Sequence, residues 1–360
     1  MEGQVELEVP QAGVSTDSSI APVEALDIDK LLRSRSRIKL RDGRKLCFAS
    51  YGVPRYSPKL ARKTLLYFHG WPSSRLEPAI MHSEALKQGI RIIAIDRPGA
   101  GHSTYNPRGS FRTIVADVEQ LLDHLGLVKV VLMASSGACG WSSFAPAPVA
   151  AIVHPWYIAS RGSGGSPFAS ACAALLPERV EGLLLVCPLA PCFGREQELH
   201  EGLGPHSKRF FAMLNSAPWA ARVQMAAVRQ IMYMPQHTAF LRIGGFARED
   251  VDAMINHRRF ADVMRAASRE GLRQGIRGPF RDIMLYATRP WTVEIENIKC
   301  PTVIWNGGAD VVTPNAMARH YHRRIPGSRL HIVPCEGHLS LPFKHTPAIL
   351  ASIVPPASRL

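Results

Sequence analysis

Three short motifs of this 360-residue chain could carry chemistry together, and they come in a telling order. They are Gly162-Ser163-Gly164-Gly165, Gly307-Gly308-Ala309-Asp310 and Glu336-Gly337-His338. A hydroxyl on a glycine-rich turn, then a carboxylate, then an imidazole supplies a nucleophile, an orienting acid and a base. That is the equipment for attack on a carbonyl through a covalent acyl intermediate. Small neighbours suit Ser163, because a turn that thrusts a side chain forward from a strand end is sharp and strained. Ser166-Pro167-Phe168-Ala169 then opens a helix, with Pro167 in its first turn. The N–H of Gly164 at that helix start can meet developing negative charge.

Two further motifs follow predicted strands. His69-Gly70-Trp71-Pro72 offers a backbone N–H to an oxyanion. Asp96-Arg97-Pro98-Gly99-Ala100-Gly101-His102-Ser103 suits a constrained turn beside the site. Asp96 reads as structural rather than catalytic, and His102 as a weaker base than His338.

Elements to position these groups are visible in the periodicity. Residues 38–51 read as a hairpin with Asp42-Gly43 at its turn. Apolar strands are expected at 64–68, 91–95, 129–133, 182–186, 302–305 and 330–333. Helices are expected at 78–88, 111–125 and 168–176, with Ile114, Val118, Leu121, Leu122 and Leu125 forming one face of the second. Strands apolar on both faces, alternating with helices, imply a parallel sheet covered on both sides. Residues 207–233 and 248–274 read as helical, and Met213, Met225, Met232, Met234, Met254 and Met264 recur there. These methionines read first as core, and second as an adaptable apolar cover over a substrate.

Together the segments HGWPSSRLE (69–77), DRPGAGHS (96–103), GSGGSPFASACA (162–173), PTVIWNGGADVVTP (301–314) and EGHLSLP (336–342) resemble the α/β-hydrolase family of serine hydrolases. The resemblance implies Ser163 as nucleophile, Asp310 as acid, His338 as base, and the N–H groups of Trp71 and Gly164 as oxyanion hole, with no cofactor or metal. The expected fold is an α/β-hydrolase fold: a mostly parallel sheet with helices on both faces and a helical lid. The expected organisation is a flexible leader over 1–30, a core over 31–190, a lid over 191–285, the rest of the core over 286–354 and a tail over 355–360. Relatives that open epoxides or remove halides carry Asp where Ser163 stands, which favours an ester or thioester of a hydrophobic acyl group.

One stretch departs from the family pattern. The strand ending near Ala134 should run straight into the elbow, yet residues 135–161 intervene, and 135–160 carry no Asp, Glu, Lys or Arg. Without 135–161, Val-Val-Leu-Met-Ala joins Gly-Ser-Gly-Gly-Ser-Pro and a near-normal elbow results. The stretch therefore reads as a retained intron or a misassigned exon boundary. The rival reading takes Ser136, in Ala134-Ser135-Ser136-Gly137-Ala138, as nucleophile. If the stretch is genuine, it could instead leave a catalytically impaired binding protein.

Bulk properties narrow the rest. Hydrophobic residues make up 46% of the chain, enough for a sizeable core. Its net charge of +14 is spread along the sequence, without a nucleic-acid signature, so no nucleic-acid partner is expected. Seven cysteines without a CxxC pair point to a reducing compartment. No stretch suits a membrane span, since Pro146, Pro148, His154 and Pro155 interrupt the apolar run 144–159. The terminal Ser358-Arg359-Leu360 resembles a peroxisomal address, so the import receptor is an expected partner and the peroxisome, with the cytoplasm as alternative, the expected location. With that address the chain also resembles small hydrolases of fungal secondary-metabolite and toxin pathways.

Overall fold

The computed structural model describes residues 33–54, 61–135, 164–191, 199, 201–233 and 246–353. Eight strands of the described residues form one sheet. They are β1 (Ser36–Lys39), β2 (Lys45–Gly52), β3 (Lys63–Phe68), β4 (Ile90–Ile95), β5 (Val130–Ser135), β6 (Val180–Val186), β7 (Thr302–Gly307) and β8 (Arg329–Val333). Their spatial order is β1-β2-β4-β3-β5-β6-β7-β8. The hairpin β1–β2 is antiparallel, as is β2 against β4, and every later pairing is parallel.

Alternate residues along the strands feed two cores. Leu66, Phe68, Ile93, Ile95, Leu132, Leu183, Leu185 and Ile304 belong to one. Leu65, Tyr67, Ile92, Ala94, Val131, Met133, Leu184 and Val303 belong to the other. The helices on the two sides follow from this. Residues of α2 (Phe111–Leu125), α3 (Ser166–Leu175) and α9 (Asn315–Arg324) join the first core. Residues of α1 (His82–Lys87), α7 (Arg258–Gly271), α10 (Ser340–Lys344) and α11 (Thr346–Ala351) join the second. The doubly covered parallel sheet expected from the apolar strands is the sheet observed.

Helix α2 shows how local sequence sets the boundaries. Ser110 accepts from the Thr113 N–H at 3.2 Å, and the Thr113 hydroxyl accepts from the Ser110 N–H at 2.8 Å, a reciprocal capping box. The helix ends at Gly126, whose φ of +66° is the left-handed C-terminal stop. Between these ends Ile114, Val118, Leu121 and Leu122 are buried, at the predicted spacing.

Between β6 and β7 lie α4 (Pro205–Ser216), α5 (Pro218–Met232), α6 (Arg248–Asn256), α7 and α8 (Arg277–Ala287). Each of the two long helices expected here is divided. Pro218 starts a new helix after Ala217, because it has no N–H to continue the old one. His257 leaves the helical region at φ −116°, ψ +79° and separates α6 from α7. The segment expected as helix 78–88 begins with a 3₁₀ turn at Glu77–Met81 before α1. A further difference bears on the site. Strand β5 runs to Ser135, which pairs with Val186, so Ser135 belongs to the sheet and not to the atypical stretch. No described helix is long and apolar enough to cross a membrane.

Candidate active site

Strand order reverses between β3 and β5, since β4 lies on one side of β3 and β5 on the other. At such a switch point the chain leaves the two strand ends in opposite directions and opens a crevice. Of the expected groups, the described ones, Trp71, Gly164, Asp310 and His338, lie at this end of the sheet.

Asp310 follows β7 and His338 follows β8. Their loops meet closely: a Cβ added to Gly307 would stand 2.3 Å from the Glu336 carbonyl oxygen, so only glycine fits there. The Asp310 Oδ2 lies 2.7 Å from His338 Nδ1, with both side chains buried. Asp310 is itself fixed. Its Oδ1 accepts from the N–H groups of Val312 (2.7 Å) and Thr313 (2.9 Å), and the Thr313 hydroxyl lies 2.9 Å from Oδ2. An ionised carboxylate can only accept, so Nδ1 must carry the proton and Nε2 is the basic nitrogen of the neutral ring.

The His338 backbone has a second carboxylate. Asp250, in the first turn of α6, accepts from the N–H groups of His338 (2.9 Å), Leu339 (2.8 Å) and Ser340 (2.9 Å). Gly337 makes this possible, because a Cβ there would stand 2.4 Å from Asp250 Oδ1. Burial raises the Asp250 carboxyl above its ordinary value, against the pull of these hydrogen bonds.

Sequence reasoning missed Asp250, Thr313 and Cys187. Cys187 follows β6 in the left-handed region, at φ +50°. Its thiol is pushed well above the usual range by burial and then by Asp310. Cys187, Asp310 and His338 are the one group of three potential metal ligands among the described residues, with donor atoms within 4.8 Å of one another. Yet Asp310 already spends both oxygens on Val312, Thr313 and the imidazole, which is the bonding of a proton-handling pair.

On the opposite side of the crevice the loop after β3 is held by charged side chains. The Gly70 N–H donates to Glu77 Oε2 at 2.9 Å, and the Tyr67 hydroxyl to Glu77 Oε1 at 2.7 Å. Arg97 donates to the carbonyl of His69 and, at 3.1 Å, to that of Gly70. Its Nε donates to Asp282 of α8 at 2.7 Å. The Trp71 indole N–H donates to the Pro279 carbonyl at 2.7 Å. His69 Nε2 accepts the Arg97 backbone N–H at 3.2 Å, so Nδ1 carries the proton toward the Gly70 carbonyl, 2.8 Å away. Burial, then Arg97, holds this imidazole well below its ordinary pKa.

Gly164 completes this side. A Cβ there would lie 2.7 Å from Trp71 Cβ, and one on Gly165 2.3 Å from the Phe68 carbonyl oxygen. Phe68 pairs with Ala134 of β5. Gly164 and Gly165, the first described residues after Ser135, thus lie against the end of β3, the strand next to β5. Trp71 and Gly164, expected to share an oxyanion hole, are neighbours.

Asp96 is structural, as expected. It accepts from the Arg75 backbone N–H (2.8 Å), the Arg75 guanidinium (2.9 Å) and the His102 N–H (3.0 Å). Arg75 also reaches Glu270 at 2.7 Å, and His102 Nε2 lies 3.1 Å from that carboxylate. His102, its pKa lowered to about 4 by burial first, thus packs as a neutral ring against the Arg75–Asp96–Glu270 ion network and not against the Asp310–His338 pair. Both nucleophile candidates, Ser163 and Ser136, lie outside the described residues, as do the leader over 1–30, Met234, the stretch 136–161 and the terminal Ser358-Arg359-Leu360.

Comparison with known proteins agrees with this geometry. Residues 65–353 match the model of the alpha/beta hydrolase family, and the chain belongs to that family. Among solved structures it is similar to a bromoperoxidase from Bacillus anthracis, with TM-score 0.59 and 18% identity over 89% of this chain and 99% of that one. It is similar to the esterase EaEST from Exiguobacterium antarcticum, with TM-score 0.57 and 18% identity over 88% and 98% of the two chains. It is also similar to a thermophilic esterase from Thermogutta terrifontis, with TM-score 0.53 and 20% identity over 89% and 97%. At these identities the likeness is one of fold.

Proposed function

We propose, from membership of the alpha/beta hydrolase family as premise, that this hydrolase cleaves an ester or thioester of a hydrophobic acyl group through a serine acyl-enzyme. The observation that carries this reading is the buried 2.7 Å bond from His338 Nδ1 to an Asp310 whose every acceptor is already oriented. Ser163 Oγ attacks the carbonyl carbon and its proton passes to His338 Nε2. Asp310 stabilises the imidazolium, and the N–H groups of Trp71 and Gly164 receive the oxyanion. Collapse expels the alcohol or thiol, which takes the proton from Nε2. Water then repeats the cycle on the acyl carbon and frees the acid.

Helices α4–α8 act as the lid. Met232, Met254, Met264, Val251 and Phe260 form an apolar cluster with Leu339, the residue after His338. That cluster favours an acyl chain over a charged substrate near the reacting carbon. The test is turnover of short- and medium-chain p-nitrophenyl esters and of an acyl thioester. Turnover lost in Ser163→Ala and kept in Ser136→Ala supports the reading. Folded wild-type protein inert on the whole series contradicts it and favours a binding protein disabled by the intervening stretch.

One observation favours a second nucleophile. The described strand β5 extends to Ser135, one residue before Ser136 in the sequence. Loss of turnover in Ser136→Ala alone would assign the role there. A protein lacking 135–161 should match or exceed the full chain in rate if that stretch is a retained intron, and sequencing the main transcript settles its origin. The terminal Ser358-Arg359-Leu360 serves as a peroxisomal address in this reading, tested by the location of a fluorescent fusion with and without the tripeptide.

A further inference from the structure

Helix α8 has two working sides. Pro279 and Asp282 face the catalytic crevice, where they hold Trp71 and Arg97. Arg277, Arg281, Met284 and Leu285, spaced i, i+4, i+7 and i+8, instead line a cavity of about 620 Å³. The cavity takes in Arg108 to Ser110 from the loop before α2, Arg222 of α5 and Arg289. Five arginines thus line it, and no Asp or Glu does.

Arg281 is half-buried and the other four are exposed, and none of the five has a carboxylate within salt-bridge distance among the described residues. One of the Arg281 terminal nitrogens donates to the Gly109 carbonyl at 2.8 Å, while its Nε is buried without a hydrogen-bond partner. Arg277 is pinned over the Tyr105 ring, 5.1 Å from ring centroid to guanidinium carbon. The positive end of α2 opens at Ser110, beside these groups. Five like charges around one hollow repel one another unless something anionic is shared between them. Guanidinium groups grip phosphate in pairs of parallel hydrogen bonds, so phosphate suits them better than a single carboxylate does. Phe280, Met284 and Leu285 give the same cavity an apolar wall. Its size is that of a small-molecule site.

We infer that this cavity is a second binding site, for an organic phosphate whose anionic end is shared by Arg281, Arg277 and Arg289 and whose organic part rests on Phe280 and Met284. The site is separate from the Asp310–His338 pair and stands whether or not the chain hydrolyses esters. The phosphate could belong to an effector or to a distant part of the substrate.

The test is calorimetric titration of the full chain with pyrophosphate, adenosine diphosphate and adenosine at low ionic strength. The diphosphate should bind, weaken steeply with salt, and outbind adenosine at least about tenfold. Arg281→Met should weaken it by about tenfold or more, and Arg277→Ala/Arg281→Met/Arg289→Ala should abolish it, with the thermal midpoint of each variant confirming a folded protein. Competition by an ester substrate would place the phosphate on the substrate, and its absence on an effector. No binding of pyrophosphate or adenosine diphosphate by folded wild-type protein overturns the inference. So does equal affinity in the triple variant, or adenosine binding as tightly as its diphosphate.

Discussion

The two sides of the crevice are built on opposite principles. On the Asp310–His338 side, backbone N–H groups hold side chains: five amides converge on Asp310 and Asp250. On the His69–Gly70 side, side chains hold backbone: Arg97 and Glu77 grip the carbonyls and amide of the loop after β3. The first side presents an imidazole, which a rigid main chain can aim. The second presents main chain, which only charged side chains reaching across the fold can aim. In the proposed function the acting group is thus a side chain in one half and main chain in the other, and the two halves should break differently.

The largest effects belong to the imidazole side. Asp310→Asn and His338→Gln should each lower kcat by about 10³- to 10⁴-fold while the protein stays folded, measured by ester turnover and thermal unfolding. On the other side Arg97→Met should unfold before it merely slows. It strands the buried Asp282 carboxylate and the His69 carbonyl, at a cost of about 3–5 kcal/mol in denaturant titration. If Arg97→Met keeps wild-type stability and loses only turnover, the contrast fails.

Asp250→Asn lies between these. Asparagine keeps one acceptor oxygen but not the charge, so about 1–3 kcal/mol of stability should go. The imidazole should drift enough to cost up to about 100-fold in kcat, with KM unchanged. An unaltered kcat would remove Asp250 as the positioner of the His338 loop.

The smallest effect is one of pH. The folded pKa of His69 lies below its unfolded value of about 6.5, because burial and Arg97 disfavour the imidazolium. Such a group contributes stability above the unfolded pKa and loses it as pH falls below that value, because the unfolded chain then binds more protons. The stability gap between wild type and His69→Asn should therefore be full near neutrality and shrink as the solution is acidified through about pH 6.5. A gap that widens on acidification would contradict the neutral tautomer.

The same contrast explains what could be read from the chain alone. Strands with apolar residues on both faces announced the parallel sheet, and Asp310 and His338 stood out because each follows such a strand on a glycine turn. Trp71 and Gly164 stood out through their glycine-rich surroundings, and the fold makes them neighbours. Arg97 lay within a motif read only as a turn, because its partner Asp282 is 185 positions away. Asp250 gave no signal, since an acidic residue in a first helical turn is ordinary, and His338 lies 88 positions further on. Local pattern picks out the groups at strand ends and glycine turns, whereas the long-range supports emerge only when the chain is folded.

The central claim is that His338 acts on the hydroxyl of Ser163. Labelling the full chain with a fluorophosphonate and mapping the modified peptide by mass spectrometry tests it most directly. The account predicts a single adduct on Ser163 that disappears in His338→Gln. An adduct on Ser136, or none on folded and otherwise intact protein, would contradict it.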